Sequence, residues 1–97
     1  MDPKEKFVLW CLRQRGDTLP SDIDWLAVRH RTPIGAHEIQ PLLGQLVKLG
    51  LARLVGRKVE HSRFRLFVFV ITSAGKKEVI KLPKDPLEIF SKPISSA

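Results

Sequence analysis

The chain has 97 residues, enough for one domain with one modest core and too few for a separate substrate or sensor domain. It is 43% hydrophobic and 28% charged, the make-up of a globular rather than a disordered protein. Its formal charge of +7 is lopsided: residues 1–50 hold seven Lys/Arg against six Asp/Glu, and residues 51–97 hold ten against four. That imbalance points to a polyanionic partner, set against the plainer reading of a solvated basic surface.

The longest apolar run, Phe7 to Leu12, is too short to cross a bilayer, and MDPKEK leads into no signal-peptide pattern. One cysteine, Cys11, excludes an internal disulfide framework and reads as a small core hydrophobe. A cytoplasmic, reducing location is expected. There is no asparagine and there are three glutamines, a faint thermophile signature.

Residues 4–15 predict a first helix: Phe7, Trp10 and Cys11 recur at helical spacing, Val8 and Leu12 widen the face, and Gly16 ends it. Ser21 reads as the cap of a second helix, with Asp22 and Asp24 in its first turn and Ile23, Leu26, Ala27 and His30 turned inward. Ile39, Leu42, Leu43, Leu46 and Leu49 form the stripe of a third helix that stops at Gly50. Its start is expected between Ala36 and Gln40, because an earlier start would put Pro41 in the interior at a cost of roughly 3 kcal/mol.

After Gly50 the period changes to two. Residues 51–55 and 64–72 predict antiparallel strands joined by the basic loop GRKVEHSR. Phe64, Leu66, Val68 and Val70 are expected to face the core, leaving Arg65, Phe67, Phe69 and Ile71 on the other side. Ser73-Ala74-Gly75 closes the second strand, residues 76–82 predict a short fourth helix, and residues 83–97 read as a Pro-containing tail beyond a domain of residues 1–82. Three helices followed by a hairpin, in that order, predict an α+β winged helix-turn-helix with a three-helix core, a two-stranded wing and a short C-terminal helix.

Three stretches carry a family resemblance. LLGQLVKLGLARLVGRK (42–58) resembles the end of the recognition helix and the first wing strand of winged-helix regulators of the MarR and PadR type. FVITSAGKKEV (69–79) resembles their second wing strand and the step into the next helix, and DWLAVRH (24–30) resembles their second helix. The spacing from Ala27 to Gly50 is longer than in typical members, and the long dimerisation helices of those families are absent or abbreviated. The resemblance implies sequence-specific binding of double-stranded DNA by a transcriptional regulator, with the third helix in the major groove and the wing on phosphates or the minor groove.

On that reading His37, Glu38, Gln40, Gln45 and Lys48 form the base-reading face, glutamine suiting adenine and glutamate suiting cytosine. Arg53, Arg57, Lys58, His61, Ser62, Arg63 and Arg65 on the wing, with Arg29 and Arg31 closing the second helix, are the expected backbone contacts. Edge-strand protection and helix-dipole pairing are the plainer roles for the same charges. Trp10, Trp25, Phe67, Phe69 and Ile71 are expected to meet the tail or a second subunit, a homodimer being favoured because such regulators read two half-sites. The alternative is a winged-helix protein–protein interaction module of a transcription or replication assembly; RNA binding lacks an aromatic stacking platform. The three histidines and one cysteine are scattered, and no phosphate loop or catalytic set appears, so no enzyme activity, metal, cofactor, membrane association or small-molecule effector is expected.

Overall fold

The computed structural model describes residues 1–90. In chain order it contains α1 (Pro3–Arg15), α2 (Pro20–Arg29), a 3-10 turn (Ala36–Glu38), α3 (Ile39–Lys48), β1 (Ala52–Lys58), β2 (Arg65–Ile71), α4 (Ser73–Ile80) and α5 (Pro86–Phe90). This is the expected winged helix-turn-helix. None of the described helices is long and apolar enough to cross a membrane.

The run FVLWCL places apolar side chains almost all round α1, and a helix of that kind must be enclosed rather than faced on one side. Phe7, Val8, Leu9, Cys11 and Leu12 are all buried. The helix packs against α2, α3, α4, α5 and β2, so it is the axis of the core. Ile23 and Ala27 of α2 and Ile39, Leu43 and Leu46 of α3 close on it. Full burial of side chains of this size is worth about 1.5–3 kcal/mol each.

Helix ends show the local chemistry. Asp2 caps α1, accepting the Lys4 amide at 3.3 Å. The start of α2 differs from expectation: Pro20, with no amide hydrogen to satisfy, takes the first helical position, so Leu19 is the cap residue and Ser21 lies inside the first turn. Asp22 reaches back to accept the Leu19 amide at 2.9 Å. The 3-10 turn precedes α3, and Pro41 falls at the third helical residue, within the tolerant first turn.

Two helices end in the same double hydrogen bond. At α3 the Gly50 and Leu51 amides return to the Val47 and Leu46 carbonyls, with Gly50 at φ 75°. At α2 the Arg31 and Thr32 amides return to Val28 and Ala27, but the left-handed position is held by Arg31 at φ 54°. An arginine therefore sits where glycine is favoured.

β1 and β2 pair antiparallel from Ala52 opposite Ile71 to Lys58 opposite Arg65. Thr18, fully buried, bridges Phe69 on the outer edge of β2, with amide-to-carbonyl distances of 3.0 and 2.8 Å. The register changes which side of β2 meets the helices, although Val68, expected inward, is buried on the opposite face. Ala52, Phe69 and Ile71 lie on the face packed against the helices, whereas Phe64 and Leu66 are exposed. RLFVFVI is apolar on both faces, so alternation alone does not choose between them.

The fourth helix begins at Ser73, three residues before the expected start. Thr72 is its cap, accepting the Gly75 amide at 3.1 Å and donating its hydroxyl to the Gly50 carbonyl at 2.7 Å. Gly75 is where α4 crosses the chain closely: a Cβ there would lie 2.2 Å from the Leu51 carbonyl oxygen. The first part of the stretch read as a Pro-containing tail carries α5, whose buried Pro86 and Ile89 and ring contact of Phe90 with Phe7, at 5.8 Å, dock it on α1. The remainder of the expected tail lies outside the described residues.

Candidate nucleic-acid interface

Burying Ile39, Leu43 and Leu46 leaves the other side of α3 to solvent. Gln40, Pro41, Gly44, Gln45 and Lys48 are all exposed there and follow one another along the helix as a single stripe. Of the five residues assigned to base reading, Gln40, Gln45 and Lys48 share this face. His37 and Glu38 do not; both belong to the 3-10 turn.

Glu38 is committed inside the chain. It accepts the Gly35 amide at 2.7 Å and forms an ion pair with Lys4 of α1. Those contacts, the Lys4 hydrogen bond foremost, hold its carboxyl below its ordinary range. Its visible work is to tie the start of α3 to α1.

The expected wing cations divide into two groups. Lys58, His61, Arg63 and Arg65 are exposed at or beside the tip, which runs over residues 59–64, with Ser62 half-buried between them. His61 is left-handed at φ 62°, and the Ser62 hydroxyl accepts the Phe64 amide at 3.0 Å, so the tip is a defined turn. Lys58 and Arg65 face one another as the last rung of the ladder. Like charges directly opposite across a sheet are unfavourable without an anion to neutralise them.

Arg57, expected in the loop, lies within β1. Its guanidinium grips Asp17 through two hydrogen bonds of 2.9 Å, Nε to Oδ2 and an Nη to Oδ1. Asp17 precedes Thr18 on the far edge of β2, so the side chain spans β2 on the face that carries buried Val68. The Arg57 hydrogen bond lowers the Asp17 pKa, and Asp17 in turn raises that of Arg57. Arg57 thus anchors the wing to the α1–α2 connection. Sequence reasoning missed Asp17 because nothing local links residues 40 positions apart.

Arg53, on the same sheet face as Arg57, lines an open cavity of about 390 Å³ with Ile71, Thr72, Ser73 and Lys76. Lys76 was not anticipated; the lysine pair after Gly75 was its only signal. On α2, Arg29 lies 5.2 Å over the ring of exposed Trp25, and Arg31 is exposed. Of the residues expected to meet a tail or partner, Phe69 and Ile71 pack on the core, and Trp10 lies against Phe7 and His30. Phe67 is 57% exposed but its ring lies over Gly56, whose missing Cβ would sit 3.4 Å from it. Trp25 is 56% exposed, with Arg29 over its ring. Cys11 is buried, which raises its pKa to about 12 and leaves a neutral thiol. No group of three or more His, Cys, Asp or Glu residues suited to a metal occurs among the described residues.

Three helices, a hairpin pinned to their connection and a polar α3 face beside it define a winged helix-turn-helix protein. No protein-family model matches the chain, and no curated protein matches it in sequence. Solved structures do. The chain is similar to a PadR family transcription regulator from hypervirulent Clostridium difficile R20291, with TM-score 0.64, 17% identity and 79% of each chain covered. It is also similar to Bacillus subtilis PadR in complex with operator DNA, with TM-score 0.69 and 18% identity over 97% of this chain. It spans 51% of that second chain. The fold is that of PadR-type winged-helix regulators.

Proposed function

We propose that this protein is a cytoplasmic transcriptional regulator that binds double-stranded DNA, setting the exposed face of α3 in the major groove and the wing tip on phosphates beside it. The observation that carries this reading is the opposed pair Lys58 and Arg65 at the exposed tip, flanked by Arg63 and His61. A polyanion relieves that repulsion, and counterion release then drives association. The likeness to a PadR in complex with operator DNA supports DNA as the partner.

Gln40, Gln45 and Lys48 supply donors and acceptors for base edges, and bare Gly44 lets the helix backbone come near the groove. Lys58, Arg63 and Arg65 contact phosphate, while Arg57 contributes by holding the wing to Asp17. A homodimer would place two α3 helices on two half-sites. The dimer surface proposed here is around Ile80 of α4, which is 83% exposed, rather than the inward-packed Phe69 and Ile71. On the sheet face that favoured a protein partner, Phe69 and Ile71 are taken up by the core, while Leu54 and Phe67 stay exposed.

The test is duplex binding across a salt series. Wild-type affinity should fall steeply with salt, and Lys58→Ala/Arg63→Ala/Arg65→Ala should flatten the logarithmic slope by about 0.9 per lost contact. An unchanged slope would remove the wing from the interface; no binding at low salt would end the DNA reading.

A further inference from the structure

We propose that Phe64 is a wedge that enters a base step of duplex DNA from the minor groove, unstacking that step and bending the duplex. This deepens, and rests on, the DNA-binding reading above. Phe64 is 80% exposed, the most exposed aromatic residue among those described. No ring among the described residues stacks on it, unlike Phe7, which packs with both Trp10 and Phe90, and Phe67, which lies over Gly56. The core therefore gives no reason for a phenylalanine here.

Its setting indicates what the ring meets. It follows Arg63 and precedes Arg65, and Arg65 opposes Lys58 across the ladder. An exposed apolar ring between two arginines in sequence, on a tip that also carries Lys58 and His61, fits a surface that is anionic outside and aromatic within, which describes a nucleic-acid duplex. The ring has no group to read a base edge and none to pair with phosphate, so sliding between stacked bases is the contact it can use. The minor groove, about 6 Å wide, admits a single side chain more readily than a whole ribbon, and phenylalanine is among the residues that wedge base steps from that side. The tip is also prepared for the task. The left-handed His61, the Ser62 amide bonded to the Val59 carbonyl at 3.2 Å and the Ser62 hydroxyl on the Phe64 amide fix the turn that presents the ring.

The experiment uses the full chain and a duplex with TA steps one helical turn apart, these being the steps most easily unstacked. 2-Aminopurine replaces the adenine of each step to report unstacking, and a dye at each end reports bending. Readings are taken at low salt and saturating protein for wild type, Phe64→Ala and Phe64→Leu. Wild type should raise the 2-aminopurine signal and shorten the end-to-end distance. Phe64→Ala should lose both and bind about ten-fold more weakly; Phe64→Leu, still an apolar wedge, should keep most of each. Because Phe64 is exposed, melting temperatures should agree among the three. Phe64→Ala giving the wild-type fluorescence and distance would overturn the wedge while leaving DNA binding intact. A wild type that fails to bind the duplex would overturn the DNA reading itself, visible without any substitution.

Discussion

Replacing glycine by alanine at two helical positions should move stability in opposite directions. Gly44 is the sixth of ten residues in α3, and a Cβ there meets nothing within 4 Å. Gly44→Ala therefore gains helix propensity without a clash, about 0.5–1 kcal/mol. At Gly75 the added Cβ would lie 2.2 Å from the Leu51 carbonyl oxygen and 2.6 Å from Ile71 Cγ1. Restoring van der Waals separation moves α4 by roughly 1 Å. That shift strains the Thr72 hydroxyl bond to Gly50, at 2.7 Å, and the Thr72 amide bond to Leu51, at 3.1 Å. Overpacking costs about 1–3 kcal/mol and the two weakened hydrogen bonds add about 1 kcal/mol each, while alanine returns about 1 kcal/mol of helix propensity, so a net loss of about 2–4 kcal/mol is expected. For a domain of this size 1 kcal/mol corresponds to about 4–8 °C in Tm. Thermal melts followed by circular dichroism should show Gly44→Ala several degrees above wild type and Gly75→Ala lower by about 10–30 °C. If Gly75→Ala melts at or above wild type, the close crossing of α4 over Leu51 is wrong.

Arg31→Gly should stabilise the fold by about 0.5–1 kcal/mol in urea titrations by relieving a left-handed arginine, and should weaken duplex binding if that arginine is retained for phosphate. The Arg57 bond lowers the Asp17 pKa below its ordinary 3.8, so its stabilisation is complete above 3.8 and is lost as pH falls through the folded value. The Tm difference between wild type and Asp17→Asn should accordingly be largest above pH 3.8 and disappear under stronger acid. With its pKa pushed up to about 12, Cys11 should resist Ellman's reagent at pH 8 in the native protein and react at once in denaturant.

Local signals made most of the architecture legible. FVLWCL marked the core helix, the leucine stripe and Gly50 bounded α3, and the change of period after residue 50 marked the hairpin. What escaped was non-local or short. β2 is apolar on both faces, so only its register with β1 decides that Phe69 rather than Leu66 turns inward. Asp17–Arg57 and Lys4–Glu38 join residues 40 and 34 positions apart and engage two expected nucleic-acid ligands in ion pairs within the chain. α5 has five residues, too few for periodicity to declare a helix, and it forms because Ile89 and Phe90 find α1. The wing tip was legible as charge, but the isolation of Phe64 emerged only once its neighbours were in place.

The most direct test of the two-part interface is amide chemical-shift mapping of the ¹⁵N-labelled protein during titration with a short duplex at low salt. Shifts are expected to concentrate on the exposed face of α3, at Gln40, Gly44, Gln45 and Lys48, and on the tip from Lys58 to Arg65, with α5 and its contact on α1 quiet. Shifts confined to α4 and α5, or none at either α3 or the tip, would contradict the account.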